Sequence, residues 1–329
     1  MKIAIDAMGG DNAPFEIVKG VVLASEQNPE TDLVLIGDTQ KITECLEELK
    51  TVKPQNVTLV HTDVVVEMDD DPMVIMKEKN DSSMAKGLKL LKDGEVDAFI
   101  SAGSTGALHT GSTLIVRKIK GIRRSAIASI LPFNPPLLLL DSGANPTVSE
   151  DILNQWAVVG SAYVNEMLGV ENPKVGLLNN GTEEQKGTPV MQAAYQLLKE
   201  NKQINFIGNV ESREIPNSPC DVLITDGFTG NIALKLAEGM GSFFFTTLKG
   251  LFTTNTKTKL AYLLTKNELK GLKRLFDSSS YGGAPLLGLA KPVIKAHGSC
   301  KAANIVSAVR QAINYSKSNI IERVAEALK

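Results

Sequence analysis

A chain of 329 residues can bury a large core, and its 43% hydrophobic and 22% charged residues are ordinary for a soluble globular protein. A net charge of −2, a pI near 6.0 and only 5% aromatic residues argue against nucleic-acid binding, which calls for a basic excess and stacking platforms. Cys45, Cys220 and Cys300 are far apart, and His61, His109 and His297 are scattered. Neither a disulfide framework nor a structural zinc site is therefore expected, and the chain reads as reduced and cytoplasmic. The first residues enter a strand at once, so no signal peptide is expected. The apolar runs are shorter than the roughly 18–20 residues that span a bilayer.

In chain order, Ile3 to Ile5 predicts a short buried strand, closed by Asp6 and a turn through Gly9, Gly10 and Asp11. A helix from about Pro14 to Gln27 follows, with proline suited to its first turn. Strands at 33–36 and 57–60 flank a helix over 39–50, and a helix over 84–92 leads to a strand at 98–100. Strands alternating with helical patterns predict βαβ units and a mostly parallel sheet. The apolar runs 126–131 and 137–140, separated by Pro132-Phe133-Asn134-Pro135-Pro136, predict a local antiparallel hairpin. Further on come a helix over 150–168 with Trp156 in the core, a strand at 174–178, a helix over 189–200, and strands at 204–207 and 222–225. Two helices are expected at the C-terminus, from about 302 to 328, meeting near 316–318.

Residues 232–276 break this rhythm with two long helical patterns and no strand, so the chain is expected to be one α/β unit with a helical hairpin inserted there. The first pattern is apolar almost all round. The second places Leu260, Leu263 and Leu264 on one face, with Lys257, Lys259, Lys266, Lys270, Lys273 and Arg274 opposite. A basic amphipathic helix on a slightly acidic protein suggests contact with an anionic surface. Packing against a partner helix with solvated lysines is the alternative.

Five polar or glycine-rich stretches follow predicted strands: 6–11, 101–106, 141–145, 179–186 and 226–231. Ligands collect at the carboxyl ends of parallel strands, so five such turns at one edge would line one crevice. In Ser101-Ala102-Gly103-Ser104-Thr105-Gly106 a strand opens through a Gly-rich turn into a helix N-terminus, an arrangement suited to phosphate. Read plainly, it is a turn with Ser104 or Thr105 as an N-cap. The loop of Asp226, Gly227, Thr229, Gly230 and Asn231 is expected to assist the same anion. Asp6, Asp141 and Asn145 are expected to cap and orient the turns. Lys186 would either pair with Glu183 and Glu184 or reach the anion, with Asn179 and Thr182 shaping the pocket. His109 and His297 read as structural.

Six collinear segments carry a resemblance: IAIDAMGGD (3–11), SAGSTGAL (101–108), LDSGAN (140–145), GLLNNGTEEQKG (176–187), TDGFTGNIALK (225–235), and GAPLLG with AHGS (283–299). Together they resemble the phosphate acyltransferase PlsX family over nearly the whole chain. That family usually has Asn where Ser104 stands, a β-branched residue at Ser142 and Ile at Asn180. The resemblance implies a three-layer α/β/α sandwich similar to isocitrate and isopropylmalate dehydrogenases and to phosphotransacetylases. It implies transfer of a long-chain acyl group from acyl carrier protein to inorganic phosphate, giving acyl phosphate for a downstream glycerol-3-phosphate acyltransferase. It also implies a homodimer, peripheral membrane association through Leu260, Leu263, Leu264, Lys266, Lys270 and Lys273, and no metal or nucleotide cofactor.

The residues suit such chemistry. Phosphate is already anionic and a thiolate leaves readily, so positioning and oxyanion stabilisation are the work that remains. A phosphotransacetylase acting on acyl-CoA would share this reading. An NAD-dependent dehydrogenase would share only the architecture, because no Rossmann fingerprint is present. A non-catalytic membrane adaptor would leave the polar strand-end loops without a task.

Overall fold

The computed structural model describes residues 1–275 and 282–329. In chain order the elements are β1 (Lys2–Asp6), α1 (Phe15–Gln27), β2 (Asp32–Gly37), α2 (Thr39–Glu48), β3 (Val57–His61), α3 (Ser83–Asp93), β4 (Ala98–Ser101) and α4 (Thr105–Gly111). Then come β5 (Ala126–Leu131), β6 (Leu137–Leu140), α5 (Glu150–Leu168), β7 (Lys174–Asn179), α6 (Pro189–Glu200), β8 (Asn205–Glu211) and β9 (Val222–Ile224). The last are α7 (Gly227–Thr253), α8 (Thr256–Leu275), β10 (Ala284–Leu287), β11 (Val293–Lys295), α9 (Ala302–Lys317) and α10 (Ile320–Ala327).

Among the described residues the strands form one eleven-stranded sheet in the order β3-β2-β1-β4-β11-β10-β5-β6-β9-β7-β8. Side chains alternate between its faces, as the pleat requires. Ile3 and Ile5 join one apolar core with Leu33, Leu35, Ile100, Leu138, Leu140 and Ile224. Ala4, Val34, Ile36 and Phe99 face a second core with α3 and α4, and Leu137, Leu139 and Leu223 a third. Helices α1, α5, α6, α9 and α10 cover the first face, which makes the three layers. Trp156 is buried there, and its Nε1–H donates to the Arg124 carbonyl at 2.9 Å.

Strands β3, β2, β1, β4 and β11 are mutually parallel, as are β6, β9, β7 and β8. Between them lie three antiparallel pairings, β11 with β10, β10 with β5, and β5 with β6. Three reversals leave the two parallel halves running in opposite directions. The predicted hairpin at 126–140 is one of these pairings. Neither β10 nor β11 is legible from periodicity, because each is short. The five strand-end stretches therefore do not share one edge of a parallel sheet, and they come from two opposed sets.

The helical hairpin starts at Gly227 rather than at 232, because Asp226 caps α7: its carboxylate accepts from the Thr229 N–H and hydroxyl, each at 2.8 Å. Thr254 and Asn255 join it to α8, with Asn255 Oδ1 accepting from the N–H groups of Lys257 and Thr258. Apolar side chains stand exposed along both helices, among them Ile232, Leu236, Met240, Phe243, Leu251, Leu260 and Leu264. The side chains of Lys270, Lys273 and Arg274 lie outside the described residues. Among the described residues no helix is long and apolar enough to cross a membrane.

Candidate functional site

At the end of β1, the buried Asp6 carboxylate accepts from Ser101 Oγ at 2.7 Å and from the Met8 N–H at 3.1 Å. Ser101 Oγ in turn accepts from the Gly103 N–H at 3.1 Å. The turns after β1 and β4 thereby lock together, so closely that a Cβ on Gly9 would lie 2.6 Å from both Asp6 Oδ2 and the Gly103 nitrogen. Burial pushes the Asp6 carboxyl above its ordinary value, and the hydrogen bonds from Ser83, Ser101, Met8 and Gly9 oppose that shift.

The same network shows how the donors of the 101–106 turn are engaged. Ser101 is spent on orienting Asp6, and the Gly103 N–H is already taken. Ser104 caps α4 through the Ala107 N–H at 3.5 Å. Gly106 packs beside Pro72. Thr105 is the residue of this turn that lines the cavity described below.

The opposed half is organised by Asp141, which is fully buried. Its carboxylate collects the N–H groups of Ile127, Gly143, Ala144 and Asn145 and the Asn145 side-chain amide, at 2.7–3.1 Å. Asn145 Nδ2 also reaches the Ser125 carbonyl at 2.9 Å. Helix α7 begins against this turn, where a Cβ on Gly230 would lie 1.9 Å from the Asp141 carbonyl oxygen. Asn231 follows, donating to the Ser142 carbonyl at 3.1 Å. Asp6, Asp141 and Asn145 thus hold the turns together, and Asp226 caps α7. Asp226, Gly227, Thr229 and Gly230 form the helix start, and Asn231 of that stretch lines the cavity.

Between the two sets lies a cavity of about 1420 Å³. Where the strand-end turns and the start of α7 meet it, its polar end, the lining is Asp11, Thr105, Ser142, Gly143, Asn231, Lys235, Lys295, His297 and Gly298; elsewhere it mixes the apolar Ile130, Leu131, Phe133, Leu234, Phe245, Leu248, Phe252 and Leu263 with polar side chains such as Glu238, Ser242 and Thr246. Lys249, Lys259 and Lys266 also line it, as does Tyr262, whose ring centroid is 5.7 Å from that of Phe252. Lys295, Lys235 and His297 are functional candidates that the motif reading missed. The signal for Lys295 was a charge placed inside the apolar run Val293-Ile294-Lys295-Ala296.

His297 Nδ1 accepts the Ser299 N–H at 3.2 Å. His109 is half-buried with Nε2 3.3 Å from the Ser125 carbonyl, and its partial burial holds its pKa below the ordinary value. Burial pushes the Cys300 and Cys220 thiols up to about 11 and about 12, so neither is a ready nucleophile. Among the described residues no group of three or more His, Cys, Asp or Glu is placed to hold a metal ion.

The 179–187 loop belongs to the row of strand ends β6-β9-β7, yet none of Asn179, Thr182 and Lys186 lines the cavity. Asn179 Nδ2 ties the loop together, donating to the Lys186 carbonyl and to Asn209 Oδ1, each at 3.1 Å. Thr182 and Lys186 are exposed. Glu184 pairs with Lys199 at 2.7 Å, while among the described residues the Lys186 ammonium makes no ion pair. Surface pairing with its neighbouring acids is therefore not what occupies it.

Asp6→Asn separates orientation from stability. A carboxyl whose folded-state pKa is raised costs stability as pH rises above its ordinary value near 3.8, and that cost disappears below it. The variant is expected to match or exceed wild-type thermal stability at neutral pH, the advantage vanishing as pH falls through the carboxylate range. Turnover is expected to drop because the Ser101–Gly103 turn loses its charged acceptor. Melting curves against pH, alongside rates, check both.

The profile of a family described as fatty acid synthesis protein matches residues 1–323. A phosphate acyltransferase of Caldanaerobacter subterraneus subsp. tengcongensis is 46% identical over 330 aligned positions, covering 100% of this chain and 98% of that one. Among solved structures, a phosphotransacetylase from Streptococcus pyogenes superimposes with a TM-score of 0.61 at 18% identity, covering 99% of this chain and 94% of its own. A 4-hydroxythreonine-4-phosphate dehydrogenase from Burkholderia phymatum reaches a TM-score of 0.50 at 12% identity, covering 95% and 98% respectively, so both share the fold. With its sheet of two opposed parallel halves and its full-length match, the chain belongs to the fatty acid synthesis protein family, the family of the phosphate acyltransferases.

Proposed function

We propose that this enzyme moves a long-chain acyl group from the thioester of acyl carrier protein to inorganic phosphate, releasing acyl phosphate. The observation that carries this reading is the cavity itself, which joins a polar end holding Lys295, Asn231 and Thr105 to walls of α7 and α8 rich in apolar side chains. At about 1420 Å³ it exceeds the roughly 300–1,000 Å³ of most small-molecule sites, as an extended acyl chain would require. Each methylene it shields contributes up to ~0.8 kcal/mol, about fourfold in affinity, so chain length becomes a selectable property.

The chemistry balances without a strong base. A hydrogenphosphate oxygen attacks the thioester carbonyl carbon, the new C–O bond forms, and the tetrahedral oxyanion collapses with loss of the C–S bond. The departing thiolate takes up the proton that hydrogenphosphate gives up. What the protein supplies is positioning and positive potential. Asn231 and Thr105 border the polar end. Lys186 stands beyond the wall with its charge uncommitted and is assigned the capture of phosphate or the steadying of the oxyanion, with Asn179 and Thr182 shaping that approach. A phosphotransacetylase-like reaction on acyl-CoA is the second reading, favoured by the shared fold.

The exposed apolar faces of α7 and α8 are assigned to a second copy of the chain and to an anionic membrane surface. Leu260 and Leu264 are 59% and 76% exposed and stand off the cavity, whereas Leu263 and Lys266 also line it. Acyl phosphate would pass from there to a glycerol-3-phosphate acyltransferase.

Incubating purified protein with palmitoyl-carrier protein and phosphate, then trapping with hydroxylamine, should yield the hydroxamate in proportion to phosphate. Equal or faster use of palmitoyl-CoA would favour the second reading, and no phosphate-dependent product would end both. Lys186→Ala should slow single turnover by about 10²-fold or more at saturating phosphate, the usual scale for one oxyanion-stabilising donor; wild-type rates would remove Lys186 from the mechanism. Leu260→Ser/Leu264→Ser protein should float poorly with anionic vesicles while turning over soluble substrate normally.

A further inference from the structure

Lys295 is the last residue of β11 and pairs in register with Ser101 of β4. The register fixes its place beneath the turn that Asp6 and Ser101 hold rigid. Its side chain is buried, with 8% of the residue exposed, yet it lines the polar end of the cavity. The ammonium donates to the carbonyl of Ala102 at 3.2 Å and to that of Ala296. Three N–H donors meet two carbonyls, which leaves one donor for the cavity.

An ammonium removed from water is costly unless an opposite charge compensates it. Among the described residues Lys295 makes no ion pair within 4.0 Å. The charged and titratable groups that face it come from every neighbouring element. Asp6 at the end of β1 is engaged by Ser101 and Met8, and Asp11 lies on the same cavity wall. Cys300, ahead of α9, stays a neutral thiol with its pKa pushed up to about 11. Lys235 of α7 has the same sign and pairs with Glu238 at 2.9 Å, and the exposed His297 follows two residues on. The compensation from protein groups is thus at a distance, and the contact position opens on the cavity.

We propose that Lys295 is the cation that holds the phosphate acceptor at the polar end of the cavity, its third N–H donating to a phosphate oxygen. This assignment rests on phosphate being the acceptor. It divides the work with Lys186: the exposed lysine collects the anion from solvent, and the buried one fixes it beneath the β4 turn. It also predicts a pH signature. Burial lowers the Lys295 pKa to about 8, against a smaller opposing effect of Cys300, Asp6 and Asp11. Above that value the empty site loses its charge, while inorganic phosphate remains a dianion throughout the same range.

The test is calorimetric titration of inorganic phosphate into the full-length protein without any acyl donor, for wild type, Lys295→Met and Lys295→Arg. Wild-type affinity, expressed for the phosphate dianion, should be level up to pH about 8 and fall by up to about tenfold per unit above it. Lys295→Met should bind phosphate roughly 10- to 100-fold more weakly at neutral pH, with no decline across that range. Lys295→Arg should restore part of the affinity and extend the level region to higher pH. In turnover, Lys295→Met should raise the KM for phosphate and leave that for the acyl donor unchanged. Wild-type affinity in Lys295→Met, or a level wild-type profile through pH 8 to 9, would overturn the assignment; the wild-type profile needs no variant to fold. If phosphate binds with the expected profile but no acyl group is transferred, the acyltransferase reading fails and the Lys295 site stands. If acyl transfer proceeds and Lys295→Met binds phosphate normally, the lysine assignment alone fails.

Discussion

The antiparallel ladder at the centre of the sheet governs where everything else lies. Strand β10 pairs with β11 through Ala284 and Pro285, and with β5 through Leu286 and Leu287. It hands the sheet from one half to the other in four residues. Had β5 and β6 continued the parallel order, all the strand-end loops would point the same way and bound a shallow groove along one edge. With three reversals, the loops after β1, β4 and β11 meet those after β6 and β9, and a deep cavity opens between them. The prolines between β5 and β6 serve the same end, since they confine that reversal to a tight turn.

Two buried carboxylates keep the cavity walls in shape. Asp6 holds the β1 and β4 turns against each other, and Asp141 gathers the N–H groups of the turn on which α7 is seated. Carboxyl oxygens that accept several buried hydrogen bonds stiffen loops that would otherwise be mobile, and these two are fully engaged in that role. The groups that line the polar end beside them are Lys295, the Asn231 amide and the Thr105 hydroxyl, with Asp11 and the paired Lys235 and Glu238.

Helix α7 connects that chemistry to the outside. It begins at the Asp226 cap beside Asp141, lines the cavity with Leu234, Phe245, Leu248 and Phe252, and ends in a hairpin whose outer face is exposed and apolar. One continuous helix therefore runs from the polar end of the cavity to the surface assigned to a partner or membrane.

The sequence by itself determined most of the elements and the family. Alternation of apolar strands with helical patterns was enough for the α/β class, and the paired runs around Pro132 to Pro136 were enough for the β5–β6 hairpin. These are local signals, carried by neighbours along the chain. Collinear motifs pointed to the family because six of them occur in one order over nearly the whole chain. Only the tertiary structure decided which motif residues face the cavity. Ser101 and Gly103 look like phosphate ligands in sequence, yet they are committed to Asp6 and to each other. Lys295 sits in a short strand with no periodic signature, and the register of β11 against β4 brings it under the turn nearly two hundred residues earlier. Such assignments depend on pairing between distant strands and on which donors are already satisfied. Those are properties of the folded hydrogen-bond network, which residue order alone does not contain.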